Sequence, residues 1–340
     1  MSEANSVPDL QSAVVGGGDL EVDSTDRDSA LGDLASETSS LLSIASDVAR
    51  GMYENGRRYH SFGKTEYGFP NDEPEKDRLD MQHAMMTALL HNRLFWCPLK
   101  EGAHRVLDLG TGTGIWAIDF ADLYPSAEVI GTDLSPIQPS WVPPNCRFEI
   151  DDATDEWTFQ ENYFDFIHNR NFICCIRDWP TLIAQTYKHL KPGGWVEWHQ
   201  KHPLFTSDDG SLAEGSPIDM WGKYFFEAAE NLGTPASSCK LLKQRMEDAG
   251  FVNVEEYILK IPVGPWPKDK NLKTVGKFEY FNMTEGVEAL SLRTFTKGLG
   301  WSPERVQLFL MEVRNQVKDR KVHSYYHFYV VFGMKPESPA

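Results

Sequence analysis

Basic charge is scarce in this sequence. Lys and Arg number 33 against 50 Asp and Glu, a formal net charge of -17. A broad nucleic-acid surface needs Lys and Arg to replace phosphate counterions, so that class is disfavoured, although a small basic groove fits the count. Long apolar runs are also missing. No stretch approaches the roughly 18 apolar residues of a membrane span, so none is expected. Cys97, Cys146, Cys174, Cys175 and Cys239 form no C-x-x-C pair and are odd in number. They read as reduced thiols of an intracellular protein. Metal-ligand spacing is absent, since the histidines are scattered and Asp208-Asp209 is a turn pair, so no metal is expected. Met1-Ser-Glu-Ala-Asn5 lacks the charged-then-apolar layout of a signal peptide. The expected location is therefore cytoplasmic or nuclear. Aromatics are absent from residues 1–48, which carry ten acids against Arg27 alone. Such a segment buries too little apolar surface to offset its ordering entropy, and a disordered acidic tail is expected there.

What is present is a glycine turn between two apolar segments. Arg105-Val-Leu-Asp-Leu109 reads as a buried strand, Gly110, Gly112 and Gly114 as a turn, and Ile115 to Tyr124 as a helix. Strand, glycine turn and helix open the nucleotide-binding half of a doubly wound sheet. Bare backbone and the unpaired N–H groups of the helix start then face the ligand. Counted from Gly110, a dinucleotide fingerprint requires glycine at position 115, which is Ile115. Counted from Gly112, the run to Ala117 fits the looser G-x-G-x-x-A form, so an NAD-linked oxidoreductase stays open. The full pattern is G-x-G-x-G preceded by Asp108, the pattern of S-adenosylmethionine sites. That cofactor has no pyrophosphate and carries a sulfonium and an ammonium, so an acid at the strand tip is welcome.

The chain continues as alternating strands and helices, which implies a parallel sheet with right-handed crossovers. Ala127–Asp133 is a second strand. Its terminal acid, Asp133, is placed to accept from ribose hydroxyls, with Leu134 beside it. Cys146–Ile150 is a third strand, followed by Asp151, Asp152 and Ala153, where an acid can accept from an adenine amine. Tyr163–Arg170 is a fourth, whose exit carries His168, Asn169 and Arg170. Thr181–Leu190 is a helix ended by Lys191-Pro-Gly-Gly194, and Trp195–Gln200 is the fifth strand. Residues 202–240 look like an insertion with an aromatic helix, Ile218–Ala229. Phe251–Ile261 and Ser324–Gly333 are later strands. Leu272–Lys297 is helical with Gly286 as a weak point, and Ser302 caps a helix starting at Pro303. Upstream, Tyr67–Leu79 is polar and proline-rich and reads as a loop. Asp77–Leu90 is an amphipathic helix with Asp80, His83 and Thr87 opposite its apolar face. Tyr59 and Tyr67 are candidate cofactor contacts.

Taken together, Asp108-Leu-Gly-Thr-Gly-Thr-Gly114, Asp133, Asp151-Asp152, Phe164-Asp-Phe166 and Leu190-Lys-Pro-Gly-Gly194 resemble class I S-adenosylmethionine-dependent methyltransferases over about residues 50–335. The resemblance implies an α/β, Rossmann-like, seven-stranded mostly parallel sheet with helices on both faces, its last strand antiparallel between the fifth and sixth. Asn55-Gly-Arg-Arg-Tyr59, Pro70-Asn-Asp-Glu73, Asp77-Arg-Leu79 with His83, and Ile167-His168 with Arg170 further resemble the LaeA-like methyltransferases of filamentous fungi. That likeness implies either a biosynthetic enzyme methylating O or N of a small molecule in secondary metabolism, or a nuclear regulator working with velvet-type protein partners. The expected organisation is a tail over 1–48, a helical cap over 49–100 and a methyltransferase domain over 101–335, with substrate-lid insertions around 202–240 and 262–300.

Methyl transfer is an in-line displacement, so positioning is the main task. A base helps when the acceptor must lose a proton. His199, leaving the fifth strand, is the first candidate and His168 the second, with His202 nearby and Glu197 as a hydrogen-bond anchor. The expected cofactor contacts are Asp108, Gly110, Thr111, Gly112, Gly114, Asp133, Leu134, Asp151, Asp152, Ala153, Asn169, Arg170 and Tyr59. Arg170 suits a carboxylate, of cofactor or substrate. Trp221, Tyr224, Phe225 and Trp266 are the expected aromatic lid.

Overall fold

The central strand, β3 (Arg105–Leu109), buries Val106 and Leu107 completely because the sheet is covered on both faces. A computed structural model of the protein describes residues 50–63, 67–99 and 103–337. The acidic tail lies outside the described residues. A short antiparallel pair, β1 (Met52–Glu54) and β2 (Arg57–Tyr59), precedes helix α1 (Glu73–Leu89). From β3 the chain runs through α2 (Ile115–Leu123), β4 (Glu128–Asp133), β5 (Cys146–Ile150), β6 (Phe164–Arg170) and α3 (Trp179–His189). Next come β7 (Leu190–Thr206), α4 (Pro217–Asn231), a 3-10 turn over Ala236–Leu241 and α5 (Leu242–Asp248). The chain closes with β8 (Val252–Pro262), α6 (Lys270–Glu285), α7 (Val287–Leu299), α8 (Pro303–Val317) and β9 (Tyr325–Met334). The sheet order is β5-β4-β3-β6-β7-β9-β8. Pairings from β5 to β7 are parallel, and β9 is antiparallel to both neighbours. The order reverses between β3 and β6, which opens the crevice beyond the strands' carboxyl ends where ligands bind.

Two boundaries and one buried face differ from the sequence reading. First, α1 begins at Glu73 and not after a loop reaching Leu79. Pro74 sits in its first turn, where the missing N–H costs nothing, and Asp72 caps it by accepting from the Glu75 N–H at 3.3 Å. Second, the polar side of α1 is only partly solvated. Asp80 is exposed and Thr87 half-buried, but His83 is buried, held by Asp119 of α2 at 2.9 Å and by Arg170 of β6 at 3.1 Å. Third, Lys191–Gly194 belongs to strand β7. Lys335 bonds across it both ways, Gly193 N–H to the Lys335 carbonyl at 2.8 Å and Lys335 N–H to the Gly194 carbonyl at 2.9 Å. The helical stretch after residue 270 does break at Gly286, where a Cβ would collide with the Arg78 side chain and lie 2.8 Å from the Asn282 carbonyl. Ser302 caps α8 from its hydroxyl, 3.3 Å from the Arg305 N–H.

Asp72 also holds Arg57 in a two-pronged ion pair at 2.7 and 2.8 Å, tying β2 to the start of α1. Asp72→Ala removes both the cap and this pair. It is expected to destabilise the fold by about 1 to 2 kcal/mol, read from the urea midpoint.

Candidate functional site

A cavity of about 970 Å3 including its open mouth lies over the carboxyl ends of β3, β4, β5 and β6. The turn after β3 gives it Asp108, Gly110, Thr111 and Gly112. Gly110 is left-handed at φ 65°, and any Cβ there would strike the Phe172 ring, so glycine is required. The tip of β4 contributes Asp133 and Leu134, the exit of β5 contributes Asp151, Asp152 and Ala153, and β6 contributes His168 and Arg170.

Asp133 works inside the protein as well as on the cavity wall. It accepts the Gly112 N–H at 2.8 Å and the Ser135 N–H at 2.9 Å, and so clasps the glycine turn to the neighbouring strand. Burial pushes its carboxyl up to about 6 against these hydrogen bonds. Asp108 is likewise pushed up to about 6 by burial, while Thr111 donates to it at 2.6 Å. Asp152 accepts from the Thr154 N–H and hydroxyl through Oδ1, and its Oδ2 is buried with no hydrogen-bond partner among the described residues. Arg170 donates to His83 Nδ1 at 3.1 Å, and burial pulls its guanidinium down to about 10. Asp119 holds the other face of His83, at 2.9 Å.

Three expected contacts and the first candidate base lie elsewhere. Gly114, at φ 81°, is the N-cap of α2 and packs against the Phe148 ring. Asn169 is buried beneath the wall, donating to the Leu109 carbonyl at 2.8 Å and accepting from Gln200 at 2.6 Å. Tyr59 is buried under the Arg293 guanidinium, 4.6 Å from its ring centre. Tyr67 lines the cavity in its place. His199 is fully buried and lines neither this cavity nor the next one. The strand's length explains this: β7 continues to Thr206, so residue 199 lies within the sheet and not at its edge.

The two histidines form a buried chain. Asp108 Oδ1 meets His168 Nδ1 at 2.7 Å, His168 Nε2 faces His199 Nδ1 at 3.5 Å, and His199 Nε2 meets Glu197 Oε1 at 2.6 Å. His168 stacks on Trp116 with ring centres 3.7 Å apart. Burial, with His199 beside it, holds His168 well below the ordinary imidazole range, so it is neutral. Glu197 also accepts the Trp96 and Cys97 N–H groups at 2.9 and 2.6 Å, the anchoring role expected for it.

A second cavity of about 620 Å3 shares Tyr67, Leu79, Gln82 and Asn171 with the first. Phe69, Phe205, Trp221 and Phe225 give it aromatic walls. Two of the expected lid residues, Trp221 and Phe225, are therefore on it. Tyr224 packs on Trp301 and Phe309 instead, and Trp266 bonds to the Ser324 carbonyl at 3.2 Å. Sequence reasoning missed Gln82 and the charged members Arg78, Lys201 and Glu279. Lys201-His202, directly after the run Trp195–Gln200 that reads as a strand, was the available signal. For Glu279 on α6 there was none.

An open seven-stranded sheet closed by an antiparallel strand, with an acid-tipped glycine turn at its switch point, defines a class I S-adenosylmethionine-dependent methyltransferase. Sequence comparison agrees: a family model described as a methyltransferase domain matches residues 80–256. Methyltransferase pytC of Aspergillus terreus is 42% identical, over 88% of this chain and 92% of that protein. The secondary metabolism regulator LAE1 of Cochliobolus heterostrophus is 36% identical, over 84% and 94%. The secondary metabolism regulator laeA of Monascus pilosus is 36% identical, over 92% and 87%. The chain belongs to the methyltransferase family, in its LaeA-like branch.

Proposed function

We propose that the chain methylates an oxygen or nitrogen of a small molecule of fungal secondary metabolism, with the cofactor in the first cavity and the acceptor in the second. The observation that carries this is the shared wall of Tyr67, Leu79, Gln82 and Asn171 between a polar, acid-lined cavity and an aromatic one. The residues of the first cavity fit S-adenosylmethionine. Asp133 accepts from the ribose hydroxyls. Asp152 offers its unpartnered oxygen to the adenine amine, with Asp151 and Ala153 beside it. Gly110, Thr111, Gly112 and Leu134 lie along the nucleoside, and Asp108 faces the cationic amino-acid end. Arg170, with no carboxylate paired to it among the described residues, takes the cofactor's carboxylate. When bound, the cofactor supplies an electrophilic methyl group. The protein's own part is to orient the acceptor, exclude water and neutralise charge.

The test uses cofactor carrying a labelled methyl, incubated with the protein and a fungal culture extract that is then split into small molecules and proteins. Label is expected in small molecules; label confined to proteins would overturn this reading in favour of a regulator acting on protein partners. At residue level, Arg170→Leu is expected to weaken S-adenosylhomocysteine about 10- to 100-fold in calorimetry, the loss of one charge-assisted pair. The same variant leaves 5'-methylthioadenosine, which has no carboxylate, within about threefold. Equal losses for both ligands would remove Arg170 from the carboxylate role.

A further inference from the structure

The second cavity is apolar except for one cluster. On its wall stand Lys201 from β7, Arg78 and Gln82 from α1, Glu279 and Asn282 from α6, and Tyr326 from β9. Most of this cluster is internally satisfied. Arg78 is closed by Glu75 at 2.6 and 2.8 Å, and Glu279 accepts the Asn282 amide at 3.1 Å. Lys201 is different. Its ammonium lies 2.7 Å from the Gln82 amide, whose oxygen accepts from it once the Gln82 and Asn171 amides are turned together, and 5.6 Å from the Tyr326 ring centre. Among the described residues no carboxylate pairs with it. The Tyr326 hydroxyl on the same wall is buried and faces Glu279.

We propose that Lys201 is the group that receives the acceptor's proton, and that the acceptor is an aromatic or polyene molecule with an acidic hydroxyl, a phenol or an enol. This rests on the methyltransferase reading of the adjoining cavity. The walls suit a flat apolar body. A carboxylic acid is ionised already at neutral pH and leaves a lysine no proton to take. A neutral amine carries its own lone pair and needs no proton removed before attack. An acidic hydroxyl is the acceptor for which a neutral lysine is useful. The O–H proton passes to Lys201 Nζ and the electron pair stays on oxygen. That pair forms the oxygen–carbon bond as the cofactor's sulfur–carbon bond breaks and a neutral thioether leaves. Lys201 then returns the proton to solvent when the product departs.

The electrostatics agree with this geometry. Burial pulls Lys201 down to about 8, so both of its forms are populated near neutrality. Glu279 and Glu75 oppose the shift, and Arg78 and Arg170 support it. The other titratable groups on this wall are held neutral: burial raises Tyr67 and Tyr326 well above the usual phenol range and pulls His202 down to about 4.

The test uses the full chain saturated with S-adenosylhomocysteine and a chromogenic probe, 4-nitrophenol, which absorbs in the visible only as its anion. At a pH about one unit below the probe's own midpoint, saturable appearance of the anion band is expected, with the bound midpoint lowered by about one pH unit. Lys201→Met is expected to abolish the band while S-adenosylhomocysteine affinity stays within twofold. Lys201→Arg, which keeps the charge but cannot take a proton, is expected to retain the band and, with unsubstituted phenol, which keeps its proton near neutrality, to lose at least tenfold in methyl transfer. It also loses the rise in rate through pH about 8 that the native protein shows. No saturable band in protein that binds S-adenosylhomocysteine, or an unchanged band in Lys201→Met, overturns the proposal. Should Lys201→Met fail to fold, an Arg variant with undiminished transfer overturns it equally. Failure to bind S-adenosylhomocysteine at all would instead sink the cofactor reading.

Discussion

An Asp133→Ala protein is expected to bind S-adenosylmethionine about 100-fold more weakly than the native chain in calorimetry. Two losses combine. The ribose hydroxyls lose a charged acceptor, about 1.5 to 3 kcal/mol for each such hydrogen bond. The glycine turn also loses its clasp, because Gly112 and Ser135 donate to this carboxylate at 2.8 and 2.9 Å. A pH dependence follows from the same residue. Burial pushes Asp133 up to about 6, so the free protein is partly protonated there below neutrality. Ribose hydroxyls donate to the ionised form and favour it, which lowers this value in the complex. Affinity is therefore flat above about pH 7, and it falls as pH drops through about 6, by up to tenfold per unit for one group. Asp108, also near 6, titrates in the same window, so Asp133→Asn should reduce the slope without flattening it. Unchanged affinity in Asp133→Ala would end the ribose assignment.

The second large effect is on stability. Glu197→Leu is expected to cost about 3 to 5 kcal/mol of unfolding free energy in a guanidinium titration, the cost of removing one partner from a buried charged network. Glu197 is fully buried and holds three donors at once: the Trp96 and Cys97 N–H groups and His199 Nε2. Burial alone would raise its pKa. Burial is the largest single influence, but the hydrogen bond and electrostatic attraction of His199 together with the Cys97 and Trp96 N–H groups outweigh it and keep the carboxyl below its usual range, so it is ionised at neutral pH. Without it, two backbone N–H groups and an imidazole are left in the core with no acceptor. A loss under about 1 kcal/mol would mean that water reaches these groups in the variant. Glu197→Gln retains an acceptor for one or two of the donors and should fall between the two.

The order of elements was legible because periodicity and glycine act locally. β3, β5 and the break at Gly286 lie where the sequence puts them. So do the acids that end β4 and follow β5, because a strand's carboxyl end is fixed by its own apolar run. Where neighbours decide, the reading was partial. Whether Lys191–Gly194 is turn or strand depends on Lys335, far along the chain. Whether His83 on the polar side of α1 faces water depends on Asp119 and Arg170, each from another element.

The same division holds for the site. By itself the sequence determined a nucleoside-type cofactor site of the S-adenosylmethionine pattern, since the glycine spacing after Asp108 and the strand-end acids are short-range features. It also determined the family. Only the tertiary structure decided which side chains meet. It placed Tyr67 and not Tyr59 on the cavity wall, turned His199 into a buried partner of Glu197, and brought Lys201, Arg78 and Glu279 from three distant segments to one wall. The reason is physical. Which face of an element is buried is set by what packs on it, and burial in turn decides whether a histidine is structural and whether a lysine can give up its proton.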